Sequence, residues 1–207
     1  MNYKKIIPSR DIRLKILKFT EFIPDKLMIK LQYYIKTKRK LNLKSPLRFT
    51  EKLQWYKLYY RNPLMTVCVD KYSVREYVSS KGLGHILIPL YGVYERVDDI
   101  DFEKLPDKFV LKATNGSHTN IICEDKSNLD FNKTRKLLDN WINSRTVKAG
   151  REWPYYNVKP RIICEKYLET DENNDLIDYK FMCFDGKVFC VFVNSERYLG
   201  ENMRFGI

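Results

Sequence analysis

The chain has 207 residues, 44% of them hydrophobic and 14% aromatic, enough to bury a core and to exclude a disordered tail. A mean hydropathy of −0.47, with no unbroken apolar run near ~18 residues, excludes a membrane-spanning helix. The net charge of +12 sits in one quarter: residues 1–48 carry 14 Lys or Arg against 3 Asp or Glu, and residues 49–207 carry 24 against 23.

That basic quarter predicts two short amphipathic helices. Ile12, Leu14, Ile16, Leu17 and Phe19 mix with Arg13, Lys15 and Lys18; after Pro24, Leu27, Met28, Leu31, Tyr34 and Ile35 mix with Lys26, Lys30 and Lys36. The leading residues break at Pro8 and then at charges, which does not fit a secretory signal. Two readings of residues 1–48 stand side by side: contact with an anionic membrane surface or charged polymer, and helices packed on the domain with a solvated basic face. Nucleic acid is not an expected partner, because no helix-turn-helix, zinc finger or RNA-binding aromatic motif accompanies the charge.

Residues 49–61 predict a helix stopped by Asn62-Pro63. Asp70 is placed to cap another, running to about Val78. Residues 86–89 and 91–94 read as short strands, and 98–101 as an acidic surface connection. Period-two alternation over 108–112 predicts a strand, joined through a small-residue loop at 115–120 to a second at 121–123. Residues 129–141 predict an amphipathic helix with Leu137, Leu138, Trp141 and Ile142 on one face. A buried strand follows at 161–165, then a polar turn at 169–175. Residues 178–184 and 187–193 form a hairpin across Asp185-Gly186, a pair that accepts the positive φ angles of a tight turn.

Cys68, Cys123, Cys164, Cys183 and Cys190 are odd in number and lack C-x-x-C spacing, so they read as small buried hydrophobes in a reducing cytoplasm rather than as a zinc or disulfide framework. His85 and His118 are the only histidines, too few for a histidine-rich metal site. Neither glycine-rich nucleotide fingerprint, G-x-G-x-x-G or G-x-x-x-x-G-K-[ST], is present. Order along the chain is more telling. A lysine heads a helix, a second ends a strand before the small loop, a glutamate ends a later strand, and an aspartate and a lysine begin the next hairpin. Several cations beside loop N–H donors are what nucleotide phosphates need, and adenine needs an apolar slot.

The carrying segments are Phe49-Thr50-Glu51-Lys52-Leu53-Gln54-Trp55, Asp70-Lys71-Tyr72-Ser73-Val74-Arg75-Glu76-Tyr77-Val78, Ile88-Pro89-Leu90-Tyr91-Gly92-Val93-Tyr94, Lys108-Phe109-Val110-Leu111-Lys112, Arg161-Ile162-Ile163-Cys164-Glu165-Lys166-Tyr167-Leu168 and Asp178-Tyr179-Lys180-Phe181-Met182-Cys183-Phe184-Asp185-Gly186. In this order the chain resembles the TupA-like ATP-grasp family, linked to teichuronopeptide and surface-polysaccharide biosynthesis, whose members are often labelled glycosyltransferases. The resemblance implies an α+β fold, with a helical N-terminal region followed by antiparallel sheets and packed helices. It also implies a division into a basic extension (1–48), an α/β subdomain (49–105) and a nucleotide-binding region (106–207). Lys71 and Lys112 match the phosphate-binding lysines. Asn115, Gly116, Ser117 and His118, with the rest of the loop to Asn120, match the loop that closes over the phosphates. Glu165, Lys166 and Leu168 match the adenine hinge. Asp178 matches the acidic position near the ribose, and Lys180 faces the nucleotide.

His118 stands where the family usually has a second glycine. The sequence also ends at Ile207, before the segment in which the family holds magnesium, so the resemblance implies a shortened chain with ATP as cofactor and no magnesium ligands of its own. The implied activity is ATP-dependent carboxylate–amine ligation in the cytoplasm, with an acidic polysaccharide or peptide acceptor and peripheral attachment at the inner membrane face. A non-catalytic nucleotide-binding or adaptor remnant is one alternative. A glycosyltransferase is the other, resting on the D-x-D spacing of Asp99-Ile100-Asp101.

Overall fold

Alternation of side chains along one strand pair sets the architecture. In strand β2 (Phe109–Ala113) of the computed structural model, Phe109, Leu111 and Ala113 are fully buried, while Val110 and Lys112 point to the other face, as period-two geometry requires. Residues 7–143, 149–170 and 176–194 are described; residues 171–175, most of the expected acidic turn, lie outside them. The chain divides into two compact units, 1–166 and 167–207.

The first unit holds a four-stranded antiparallel sheet built from β1 (Leu90–Tyr94), β2, β3 (Asn120–Cys123) and β4 (Ile162–Lys166), in the order β1-β4-β2-β3. Its helices are α1 (Arg10–Phe19), α2 (Asp25–Thr37), α3 (Phe49–Tyr59), α4 (Leu64–Val69), α5 (Ser73–Ser80) and α6 (Phe131–Asn143). Leu138 of α6 packs into the core with Phe109, Leu111, Cys164 and Ile162. The expected α+β class is the one observed. The second unit contains a hairpin of β5 (Asp178–Phe184) and β6 (Lys187–Asn194). It turns at Asp185 (φ 50°) and Gly186 (φ 73°), the pair of positive φ angles that a two-residue hairpin loop demands.

Several expectations are corrected. Residues 86–89 are not a strand: a 3₁₀ turn spans Gly84–Ile86, the Ile88 carbonyl accepts from Arg75, and Pro89 has no N–H for a ladder. Leu137 is 39% exposed, because the inward stripe of α6 runs through Thr134, Leu138 and Trp141 at i, i+4, i+7 spacing. The acidic stretch at 98–101 is anchored by Ile100, 1% exposed, whose carbonyl accepts from Arg135. Cys123 and Cys164 are buried as expected, and burial pushes the Cys164 thiol up to about 12. Cys68 and Cys183 are exposed instead, on a six-residue helix and on an outward position of the hairpin.

Two local devices explain motifs that carried the resemblance. Glu51 reaches back from the first turn of α3 to accept from the main-chain N–H groups of Arg48 and Leu47, at 3.0 and 3.1 Å. The Arg48 N–H bond in particular holds the carboxyl below its usual range. Gly92 leaves room for the Tyr94 ring, which crosses where a Cβ would stand and would have to shift to admit one.

Alongside the packing of Ile29 and Tyr33, one buried side chain braces the turn between the two N-terminal helices against the body. Arg151, only 2% exposed, donates to the carbonyls of Thr20 (2.8 Å), Ile23 (3.0 Å) and Glu21 (3.4 Å) and pairs with Asp25 at 2.8 Å. Replacing it with methionine keeps the stem and orphans these acceptors. Arg151→Met is expected to lower unfolding free energy by about 2–3 kcal/mol: a fully orphaned buried group costs roughly 1–3 kcal/mol, and water can replace part of the loss at these four half-buried acceptors. Urea titration of the full chain reads this out, and a loss below ~0.5 kcal/mol would contradict the assignment.

Candidate functional site

The sheet face opposite α6 carries Val110 and Lys112 from β2 and Ile163 and Glu165 from β4. The register sets Val110 against Glu165 and Lys112 against Ile163, so Lys112 and Glu165 are diagonal neighbours within reach of long side chains. The Lys112 ammonium donates to Glu165 Oε2. Arg75, on α5, donates to Glu165 Oε1 at 3.4 Å and to the Ile88 carbonyl. Glu165 is 7% exposed, and this buried carboxylate therefore gathers two cations from distant parts of the chain.

Lys71 arrives from the turn before α5. Its main-chain N–H donates to the Thr114 carbonyl at 3.3 Å. Its ammonium donates to the carbonyls of Ala113, at 2.8 Å, and Gly116. Burial, and then the neighbouring Lys112 charge, push its pKa below the ordinary lysine value. Asp70 fixes this turn: it accepts from the Tyr72 N–H (3.1 Å) and the Ser73 hydroxyl (2.6 Å), and Arg161 lies 3.5 Å away. Thr114 closes the latch, its N–H donating to the Arg161 carbonyl and its hydroxyl to the Lys159 carbonyl. The result is a partly dry corner where two lysines lie together beside the carbonyls of the β2–β3 loop.

Of the residues singled out in the sequence, Lys71, Lys112, Asn115, Gly116 and Glu165 meet at this corner. Asn115 is buried at the loop base, while Ser117 and His118 are exposed at its tip. His118 has φ 62°, the left-handed region that glycine enters freely and other residues enter at about 1–2 kcal/mol; the histidine thus keeps the backbone shape that a glycine would favour. Lys166 ends β4 exposed, its N–H already donating to the Pro89 carbonyl at 2.9 Å. Leu168, Asp178 and Lys180 belong to the second unit, where Lys180 pairs with Asp178 on the same side of β5.

The sequence reading passed over Arg75 and gave Asp70 only a capping role. The available signal was spacing: Arg75 follows Lys71 by four residues, one helical turn. Arg75 and Arg161 also line a cavity of about 670 Å³ with Tyr72, Ser73, Glu76 and Leu87. Asp101, of the D-x-D spacing, is occupied locally: it accepts from the Glu103 N–H at 3.2 Å and pairs with Lys104 at 2.9 Å.

The donor set at the corner suits an anionic, phosphate-bearing ligand, since lysines and loop N–H groups are phosphate partners. It does not suit a metal ion. Among the described residues no group of three or more His, Cys, Asp or Glu could hold one, and both corner carboxylates are engaged with cations.

Residues 51–205 match the family model described as TupA-like ATPgrasp. No curated protein and no solved structure matches the chain.

Lys112→Met removes the like charge beside Lys71 and is expected to move the Lys71 pKa upward. The folded state holds the Lys71 proton less tightly than the unfolded chain does. Its contribution to stability therefore rises as pH climbs through the depressed folded pKa, and levels off above the ordinary 10.5. The pH dependence of Lys71 acylation, followed by mass spectrometry in wild type and Lys112→Met, measures the shift. Identical midpoints in the two proteins would contradict the pairing.

Proposed function

The chain belongs to the TupA-like ATP-grasp family, an ATP-binding, ligase-like group that uses ATP and magnesium, and from that membership we propose that it binds ATP at the Lys71–Lys112 corner to activate a carboxylate for amide formation. The observation that carries the proposal is the convergence of two lysines, 41 positions apart, on one small-residue loop. Each cation is held by partners that a phosphate can replace. Lys71 is bonded to main-chain carbonyls and Lys112 to Glu165, so incoming phosphate oxygens replace existing contacts rather than open new space.

In this reading Lys71 and Lys112 take the phosphates, and the loop of Asn115, Gly116, Ser117 and His118 covers them with main-chain N–H groups. Adenine lies at the end of β4, against Glu165 and Lys166. Arg75 acts as a positioning residue, keeping Glu165 in place when Lys112 turns to the nucleotide. The reaction class is a carboxylate oxygen attacking the terminal phosphorus with release of ADP. An amine nitrogen then attacks the acyl carbon, phosphate leaves, and the nitrogen proton passes to solvent. The corner's own contribution to such a transfer is charge neutralisation by Lys71 and Lys112.

The acceptor is proposed to be an acidic polysaccharide or peptide of the surface-polysaccharide type, in a cytoplasmic setting. The cavity of about 670 Å³ supports this, because Arg75 and Arg161 in its lining give it a positive rim that favours an acidic occupant. With Asp101 committed to Lys104 and Glu103, the ligase reading is favoured over a glycosyltransferase.

Calorimetric titration of ATP and GTP into the full chain tests the proposal. Wild type is expected to prefer ATP, and Lys71→Ala and Lys112→Ala are each expected to weaken binding by about tenfold or more, the scale of one charge-assisted contact. Equal affinity for both nucleotides, unaffected by either substitution, would overturn it.

A further inference from the structure

The surface of α1 and α2 carries an exposed apolar pattern that nothing in the nucleotide corner explains. On α1, Ile12, Ile16 and Phe19 recur at i, i+4, i+7, so they share one face; they are 52%, 44% and 80% exposed. On α2, Leu27, Leu31 and Tyr34 repeat that spacing and are 57%, 49% and 55% exposed. Phe22, in the connection between the helices, is 78% exposed and meets the Phe19 ring edge-on at 6.4 Å. The inward residues of α2 are different ones, Met28, Ile29 and Tyr33. The core-facing side of α2 is therefore already satisfied, and both helices leave an apolar stripe in water.

Lysines flank these apolar stripes. Lys15 and Lys18 on α1 and Lys26 and Lys30 on α2 are all exposed, and Lys15–Phe19 and Lys30–Tyr34 are i, i+4 neighbours. A long apolar stem with a charged tip lets such lysines lie along an apolar phase with the ammonium at its polar boundary. The connection is also held in shape: Arg151 binds the carbonyls of Thr20, Glu21 and Ile23. The Phe19–Phe22 edge is thus presented by a braced turn, with no ordering needed first.

We propose that this helical pair is a membrane-interface element that rests on an anionic bilayer. Phe19, Phe22 and the two stripes enter the headgroup–acyl boundary while the lysines meet lipid phosphates. Charge complementarity selects an anionic occupant, since residues 1–48 carry 14 basic against 3 acidic residues. The apolar stripes select a lipid surface over a soluble acidic polymer, because a hydrated polyanion has no phase into which seven apolar side chains can transfer. The attachment is interfacial: among the described residues no helix is long and apolar enough to cross a membrane. This inference does not depend on the nucleotide reading.

Co-sedimentation of the full chain with vesicles of phosphatidylglycerol in phosphatidylcholine, with phosphatidylcholine alone, and competition by soluble polyglutamate test it. Wild type is expected to bind the anionic vesicles and to lose affinity as salt rises from about 0.1 M to about 1 M, where the screening length falls from ~10 Å to ~3 Å. The double substitution Phe19→Ser, Phe22→Ser is expected to weaken that binding by about tenfold or more with an unchanged melting temperature, both rings being mainly in water. Leu31→Ser, on the other helix, is expected to weaken it in the same direction. No binding to anionic vesicles would overturn the proposal. So would binding that both sets of substitutions leave intact, or polyglutamate affinity equal to that for vesicles.

Discussion

Glu165 lies on the central strand β4, paired on one side to Leu90 and on the other to Val110, with its side chain closed over by Lys112 and Arg75. A carboxylate at 7% exposure is costly to bury alone, and breaking such a pair by removing one partner costs about 3–5 kcal/mol. The two cations that relieve it come from β2 and α5. One charge therefore ties α5 to this face of the sheet and engages the side chain at the end of β2. Lys71, Asp70 and the β2–β3 loop follow from that placement, because the turn before α5 is then delivered onto the carbonyls of Ala113 and Gly116.

The same constraint connects stability with the proposed chemistry. The cations are held by groups that can release them, which is what a phosphate site requires before its ligand arrives. Two ammonium groups share a half-buried corner, and burial first, then the Lys112 charge, depress the Lys71 pKa. A polyanion counters this by raising the favourable charge around both lysines at once. Arg75 then matters for geometry: it can keep Glu165 compensated when Lys112 changes partner, so the sheet face does not acquire an unpaired buried charge. Elsewhere in this unit, Arg151 performs a structural service for the turn between α1 and α2, through a comparable gathering of acceptors from distant sequence.

Much of this was legible in the amino-acid order. The alternation of 108–112 and the apolar run at 161–165 identified the two strands whose register creates the site. Asp185-Gly186 identified the hairpin turn, since few residue pairs accept two positive φ angles. Lys71, Lys112 and Glu165 were legible as a set through their order and family resemblance. Their antiparallel, diagonal apposition was not, because register is fixed by pairings across some fifty residues. Arg75 escaped notice since an arginine on a short helix reads as solvated until a buried carboxylate is known to face it. Residues 86–89 misled for a related reason: the apolar run looks like a strand, yet its carbonyls serve a side chain and another strand's end. In α6, Leu138, Trp141 and Ile142 meet the core as the pattern implied, while Leu137 lies at the edge of that arc and is 39% exposed.

The central claim is that Lys71 is a depressed lysine poised to accept a phosphate, and proton linkage tests it most directly. Titrating ATP at alkaline pH in buffers of different ionisation enthalpy measures protons taken up on binding. The account predicts net uptake in wild type, because phosphate raises the Lys71 pKa, and loss of that uptake in Lys71→Arg, whose guanidinium stays charged throughout. Binding with no proton uptake, or with uptake unchanged in Lys71→Arg, would contradict it.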